Sequence, residues 1–236
     1  MITKRINDIS ANVIDQYKNF RYGNSVFSIP YFNNRRTGVR GALPVEVGKG
    51  SPKEIFEEID IIIKKNRLDS QTIDIKKLLI ENNIGIDCSG FIFHVLKKTN
   101  YSFPYAGGFI RKILAKFNPV KNIDVKTFAH IKNSKLLSLH DTQPGDIITM
   151  VGNGDVSRNH IVVIDQIEYQ NDIPSVLHYV HSVAIPEDGL YNHGFHEGKI
   201  EIINIEKSLT DQIWSETYLL QRALQSTCEL RRVMVS

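Results

Sequence analysis

The chain has 236 residues, of which 42% are hydrophobic and 23% are charged, a composition typical of a globular protein. Its formal net charge of +3 is too small to indicate a nucleic-acid partner, and its two cysteines exclude a disulfide framework. Polar residues interrupt every hydrophobic run before it reaches the length of a membrane span. Because no signal peptide precedes the first elements, we expect a cytoplasmic protein or export by a route that the sequence does not encode.

The first part of the chain is predicted to be helical on both sides of a long loop. Apolar side chains recur with a helical period over residues 3–19, which indicates an amphipathic helix. Residues 33–50 are rich in arginine and glycine and either cover a substrate groove or lie in solvent. Ser51, with Pro52 after it and Glu54 closing a capping box, predicts the start of a helix that runs to about residue 65.

A second short helix, about residues 73–81, leads through an Asn- and Gly-rich turn to Cys88. Asp87 is a suitable N-cap, so Cys88 would lie in the first turn of a helix that ends near residue 98. The positive end of the helix dipole favours a thiolate there, and a helical stripe of apolar residues would anchor the helix in the core. From this stretch alone, Cys88 is either a nucleophile or a buried structural cysteine.

The second half of the chain changes to a two-residue period. After a predicted helix at residues 109–117, β-branched runs bounded by turns predict strands at residues 146–151, 160–169, 176–183 and 199–205. A helix over residues 219–230 and a last strand over residues 231–235 follow. Helices followed by a meander of strands predict an α+β fold. We expect one domain, with residues 1–83 as an N-terminal helical elaboration and residues 84–236 as the core.

A cysteine nucleophile needs a base, and the base needs a residue that orients it. His160 begins a predicted strand, where its imidazole would project from a rigid sheet. His178 and His181 both lie in the next strand and, being three residues apart, point to opposite faces. Only one of them can therefore share the sheet face that carries His160.

Several short motifs resemble those of the NlpC-type papain-like cysteine peptidases. They occur in the family's order over roughly residues 84–205, with longer separations than in compact members. The matching stretches are Asp87-Cys88-Ser89-Gly90-Phe91 for the nucleophile, Pro144-Gly145-Asp146 for the turn into the first core strand, His160-Ile161-Val162-Val163-Ile164 for the base, and Val180-His181-Ser182 for the third catalytic position.

The resemblance implies a papain-like α+β fold, in which the nucleophile helix packs against an antiparallel sheet. It implies hydrolysis of amide bonds, mostly in peptidoglycan stem peptides. Cys88 would attack the carbonyl, His160 would take and return the proton, and His181, rather than His178, would fix the tautomer of His160. The Cys88 backbone N–H would help to hold the oxyanion.

The resemblance also implies a substrate-binding role for the neighbours of the nucleophile. Asp87 and Ser89 would face the substrate and bind an amine. The family's tyrosine just before the nucleophile is missing here, so Tyr31 is the candidate for the oxyanion site, with Tyr22 as the second. The expected partner is a peptide or a peptidoglycan fragment.

We expect neither a cofactor nor a metal ion. His193 and His196 lie in a predicted loop and lack a paired ligand motif. An alternative keeps the same cysteine and histidine chemistry but assigns it to an acyltransferase, a deamidase or an isopeptidase with a substrate outside the cell wall. A further alternative is a non-catalytic module that uses the groove for binding.

Overall fold

The fold is described from a computed structural model, which covers residues 1–33, 43–97, 119–154, 159–185 and 193–234. Within these ranges the chain is an α+β protein with seven α-helices and ten β-strands. The helices are α1 (Asp8–Lys18), α2 (Pro52–Asn66), α3 (Ile75–Glu81), α4 (Cys88–Lys97), α5 (Pro119–Asn122), α6 (Val125–Ala129) and α7 (Thr217–Leu224). The strands are β1 (Ile2–Arg5), β2 (Phe20–Tyr22), β3 (Ser25–Phe27), β4 (Ser134–Leu136), β5 (Ile147–Gly152), β6 (His160–Gln170), β7 (Ile173–Val183), β8 (Gly194–Glu201), β9 (Ile213–Trp214) and β10 (Ser226–Val233).

Eight of these strands form one curled antiparallel sheet. Seven of them follow the order β4-β10-β5-β6-β7-β8-β9, and the eighth, β1, pairs with β6. Strand β6 is its long centre. β5 pairs with the first part of β6 and β1 pairs with the last part, while β7 covers the opposite edge. The remaining strands, β2 and β3, form a separate hairpin.

Helix α4 is the most deeply buried helix around this sheet. Only His94 and Lys97 of its ten residues lie outside the buried set, and the helix packs against β6, β7 and α1. Its core includes alternate residues of the strands, among them Ile161, Val163 and Val180. The other sheet face buries Val162, Ile164 and Tyr179 with the residues of α7, so α4 and α7 lie on opposite faces.

The turn before α4 is fixed by backbone contacts on two sides. The Ile86 N–H donates to the Pro30 carbonyl at 3.0 Å, and the Asp87 N–H donates to the Gly48 carbonyl at 2.8 Å. Gly85 permits this approach, because a Cβ there would lie 2.2 Å from the Pro30 carbonyl oxygen. The start of α4 is therefore held between the segments that contain Pro30 and Gly48.

Local signals predicted the helix starts well. Ser51 caps α2, and both bonds of the capping box with Glu54 are present. The Asp87 carboxylate accepts a hydrogen bond of 2.6 Å from the Gly90 N–H in the first turn of α4. Both predicted caps are confirmed, because each depends only on residues within one turn.

Two helices were predicted to extend over residues that form strands, and both errors have the same cause. Residues 2–5 form a strand and not the start of a helix, because they pair with β6. The predicted helix over residues 219–230 ends at Leu224, and residues 226–231 pair with β5 instead. Strand pairing with a distant segment overrides local helical periodicity at both ends of the chain.

Some predicted features lie outside the described residues. They include the helix at residues 109–117 and most of the arginine-rich loop, residues 34–42. Among the helices that are described, none is both long and apolar enough to cross a lipid bilayer.

Candidate active site

Cys88 is the first residue of α4 and stands at the N-terminal end of β6. It is a free cysteine, and its side chain is buried. The backbone N–H of Ile161, the residue after His160, donates a hydrogen bond to its sulfur. Because Ile161 follows His160, the first residue of β6, the backbone at the start of β6 lies beside Cys88.

His160 belongs to a buried chain of hydrogen bonds with His181 and Glu216. Its Nε2 lies 2.7 Å from His181 Nδ1, and His181 Nε2 lies 3.0 Å from Glu216 Oε2. His160 and His181 lie on the neighbouring strands β6 and β7, and Glu216 is the residue just before α7. The chain therefore runs along the sheet face that α7 covers.

The carboxylate at the end of this chain determines both imidazole tautomers. Glu216 is an acceptor, so His181 carries its proton on Nε2 and leaves Nδ1 unprotonated. That Nδ1 must then accept from His160 Nε2–H. The Nδ1 of His160 is thus left with a free lone pair, which is the state that a general base requires.

Burial opposes charge on both the thiol and the imidazole. It raises the pKa of the Cys88 thiol to about 12, and the Asp87 carboxylate acts in the same direction. Burial also lowers the pKa of His160 well below its usual value, with His181 and Arg222 contributing. Both shifts favour the uncharged form, a neutral thiol and a neutral imidazole. The thiolate expected from the helix dipole alone is outweighed by desolvation.

Glu216 stays ionised although it is partly buried. Burial by itself would raise the pKa of its carboxyl, but the hydrogen bond and the charge of His181 lower it overall. His196 Nδ1 lies 3.8 Å from the other carboxylate oxygen. A fixed negative charge therefore stands at the far end of the histidine chain.

Asp87 and Ser89 flank Cys88, and both are bound by Lys49. The Lys49 ammonium lies 2.7 Å from Asp87 Oδ1 and 2.5 Å from Ser89 Oγ. All three side chains are buried, with exposed fractions of 5%, 6% and 4% for Lys49, Asp87 and Ser89. An ammonium from the chain itself thus occupies the carboxylate and the hydroxyl that sequence analysis assigned to a substrate amine.

Tyr31 lies beside the nucleophile turn. It forms a parallel backbone bridge with Ile86, two residues before Cys88, and it lines a cavity of about 140 Å³ together with Phe32, Ile84 and Ala184. Tyr22, the second tyrosine candidate, instead donates a 2.6 Å hydrogen bond to Asp60.

The other predicted histidines fall into different surroundings. His178 lies 2.8 Å from Glu168 and is partly exposed, so it does not share the position of His181. His196 is in β8 opposite His181, and His193 lines the cavity beside Tyr31. Among the described residues, no group of three or more side chains is arranged to hold a metal ion.

The remaining motif residues act through packing and hydrogen bonds. The Asp146 carboxylate receives two bonds from Arg232, at 2.7 and 2.8 Å, and one from the Gln143 N–H. This fork fastens the turn before β5 to β10. Ser182 Oγ donates to the Ile86 carbonyl at 2.9 Å, which ties β7 to the nucleophile turn.

Sequence analysis missed Glu216, Lys49 and Arg222. Glu216 stands just before a helical pattern, as many solvent-exposed glutamates do. Lys49 lies between two glycines, which signals a tight loop but not a partner. Arg222 contacts the Tyr218 ring and lowers the pKa of Cys88, His160 and His181. None of these residues belongs to a local motif, because their partners are distant in the chain.

Comparison of the chain with protein-family models, with curated proteins and with solved structures finds no match in any of the three. Function must therefore be inferred from the site itself.

The buried histidines predict a loss of stability in mild acid. Burial lowers the pKa of His94, His160 and His181 in the folded protein. As the pH falls below the unfolded value near 6.5, the unfolded chain takes up protons that the folded chain does not, which favours unfolding. We expect the free energy of unfolding to fall between pH 7 and pH 5, by at most about 1.4 kcal/mol per pH unit for each histidine.

Urea denaturation at pH 7, 6 and 5 measures this effect, and His94→Gln is the matched variant. His94 lies 2.9 Å from the Lys49 carbonyl, a bond that a glutamine amide can also donate. The variant should show a shallower dependence on pH. Asp165 acts in the opposite sense, since burial raises its pKa. Equal stability at pH 7 and pH 5 would contradict the prediction.

Proposed function

We propose that this protein is a cysteine hydrolase of amide bonds. Cys88 is the nucleophile, His160 is the general base, and His181 and Glu216 orient the base. The observation that carries the proposal is the continuous chain from His160 through His181 to Glu216, whose first residue precedes Ile161, the residue that donates its backbone N–H to the Cys88 sulfur. A buried cysteine with a structural role alone does not require this directional chain of acceptors.

Because burial favours a neutral thiol and a neutral imidazole, we expect proton transfer to occur together with nucleophilic attack. As the sulfur forms its bond to the substrate carbonyl carbon, the thiol proton passes to His160 Nδ1. The imidazolium that forms is stabilised by His181 and, through it, by the Glu216 carboxylate. The carbonyl oxygen becomes an oxyanion, which the Cys88 N–H can bind, because the first N–H groups of a helix have no acceptor within the helix.

His160 then returns the proton to the leaving amine, and the carbon–nitrogen bond breaks. This leaves an acyl group on Cys88 and a neutral His160. Water attacks the thioester as His160 takes one of its protons, and that proton finally returns to the sulfur. The products are a carboxylic acid and an amine, and the enzyme regains its starting state.

The fold and substrate class that we propose come from the resemblance of the motifs. A papain-like core that cleaves peptidoglycan stem peptides accounts for the order of Cys88, His160 and His181. The Lys49 ammonium between Asp87 and Ser89 favours the second candidate, in which the same chemistry serves an acyltransferase, a deamidase or an isopeptidase. A site whose carboxylate and hydroxyl are already occupied by Lys49 has less use for a substrate with a free amine.

Mass spectrometry of purified muropeptides separates these candidates. On incubation with the protein we expect stem peptides to be cut into two fragments whose masses sum to the parent plus one water. The same digest with Cys88→Ser is the control and should show the intact peptides only. If the parent protein also leaves every muropeptide intact, the peptidoglycan assignment is wrong.

A further inference from the structure

The side chains of Lys49, Asp87 and Ser89 form a buried cluster that includes both chain neighbours of Cys88. Asp87 precedes Cys88 and Ser89 follows it, while Lys49 comes from a distant loop. The ammonium bridges both, and Ser89 Oγ in turn donates to Asp87 Oδ1 at 3.0 Å. The ion pair of the cluster lies inside the protein, because the side chains of Lys49 and Asp87 are only 6% and 8% exposed.

Two hydrogen bonds and the conformation of Gly48 hold the loop around Lys49 in position. The Lys49 carbonyl oxygen lies 2.9 Å from His94 Nε2, and the Gly50 carbonyl accepts a 2.9 Å bond from the Tyr17 hydroxyl. Gly48 has a positive φ of 72°, and a Cβ there would lie 2.2 Å from the Phe32 carbonyl oxygen. The backbone on both sides of Lys49 is thus fixed before its side chain reaches Asp87.

The aliphatic part of the Lys49 side chain is also closely packed. Gly90, in the first turn of α4, faces it, and a Cβ on Gly90 would lie 2.9 Å from Lys49 Cδ and 2.8 Å from the Gly48 carbonyl oxygen. The lysine stem therefore fills the space between its loop and the nucleophile helix, and no room is left there for a second ammonium.

A buried ion pair seldom gives a core more stability than apolar side chains would. Apolar residues of similar volume are often as stable or more stable, whereas removal of one partner leaves a buried charge that is strongly unfavourable. A lone carboxylate at Asp87 would also oppose a negative charge on the adjacent sulfur. Lys49 balances the charge of Asp87 next to the sulfur that loses its proton during attack.

We propose that Lys49 supplies from within the chain the ammonium that fills the Asp87–Ser89 pair, so that the site takes amide substrates without a free amine at this position. The substrate class is thus amides whose neighbouring amino group is acylated or absent. This assignment of substrate class rests on the proposed function, and Lys49 acts in it as a positioning and specificity-determining residue.

Removal and external replacement of the ammonium test this role without any turnover assay. The parent for the test is the full chain with Cys228→Ser, so that Cys88 is the only thiol. Lys49→Ala deletes three carbons and the ammonium, and n-propylammonium is the matching soluble probe. The readout is the rate of Cys88 alkylation by iodoacetamide at pH 8, together with the thermal unfolding temperature.

We expect Lys49→Ala to slow alkylation about tenfold or more, the effect of one unit in the thiol pKa. Added n-propylammonium should restore the rate of this variant in a saturable way and raise its unfolding temperature. It should leave the parent unchanged, because Lys49 already fills the site. Neither 1-propanol nor tetramethylammonium should restore the rate, since the first lacks the charge and the second lacks N–H donors.

Asp87→Asn in the Lys49→Ala background provides the second arm. It removes the unbalanced charge but keeps an N-cap side chain, and it should restore alkylation without any ammonium. A Lys49→Ala variant that alkylates at the parent rate overturns the proposal, as does one that neither n-propylammonium nor Asp87→Asn restores. An effect of n-propylammonium on the parent equal to that on the variant also overturns it.

The result of this alkylation experiment does not depend on whether the protein cleaves amides. Alkylation reports on Cys88 and its charged neighbours whether or not an amide is cleaved. If Cys88 responds as expected but no amide is hydrolysed, the catalytic proposal fails together with the substrate class that rests on it, and the pairing of Lys49 with Asp87 beside the thiol stands. If amides are hydrolysed and Lys49→Ala behaves like the parent, only the assignment of Lys49 fails.

Discussion

Replacement of Cys88 by serine should lower amide hydrolysis by at least about 10³-fold while the protein stays folded. The reason lies in residue 88 as the nucleophile and His160 as the base. A hydroxyl is a poorer nucleophile than a thiol, and His160, whose pKa burial lowers, is a weak base with which to activate it. The side chain is small and buried, so the change from sulfur to oxygen leaves the packing of α4 nearly unchanged.

Fragment release from muropeptides, followed by mass spectrometry, measures the activity, and thermal unfolding by circular dichroism measures the fold. Cys228→Ser is the matched control, because Cys228 is the other free cysteine and lies in β10 opposite Met150. It should retain full activity. The catalytic role of Cys88 is wrong if Cys88→Ser hydrolyses the same amide at the parent rate.

Replacement of Glu216 by glutamine should lower kcat by about 10²- to 10⁴-fold, a range set by carboxylates that orient a catalytic histidine elsewhere. Glutamine has nearly the same shape but no charge, so the imidazolium formed during attack loses its stabilising partner. When the amide nitrogen faces His181, it donates instead of accepting. The protons of His181 and His160 then move to the opposite nitrogens, and His160 Nδ1 ceases to be a base.

A pH profile distinguishes this role from a purely structural one. Glu216 carries the negative charge that favours protonated His181, so its loss should move the acid limb of kcat/KM to lower pH as well as reduce kcat. Glu216→Asp, which keeps the charge on a shorter side chain, should recover part of the activity. The matched control is Glu201→Gln, at an exposed carboxylate that pairs with Lys199, and this variant should behave like the parent.

An unchanged acid limb in Glu216→Gln, with kcat close to that of the parent, would remove Glu216 from the orienting chain. His181 would then be the last residue that matters for His160.

Much of the fold could be predicted from the sequence because its signals are local. A capping box needs only Ser51 and Glu54, and the cap of α4 needs only Asp87 and the N–H of Gly90. The β-branched run after His160 predicted strand β6 correctly, and the strand extends to Gln170. These elements depend on backbone and side-chain preferences within a few residues, which any stretch of sequence displays.

The errors lie where a distant partner decides the conformation. Residues 2–5 read as helix because of their neighbours, but they extend along β6. Residues 226–230 continue a helical pattern, but they pair with β5. Hydrogen bonds between strands replace the bonds within a helix, and only the assembled sheet shows which set is available.

The same division runs through the candidate site. The sequence by itself determined a cysteine at a helix start, a histidine at a strand start and two histidines on the next strand, one of which must share its face. These follow from the periods of helix and strand. Only the tertiary structure decided that Glu216 ends the histidine chain and that Lys49 lies between Asp87 and Ser89, 38 and 40 residues away in the chain. Contacts of that kind depend on how helices and sheet pack, because burial and charge compensation are properties of the assembled core and not of any one segment.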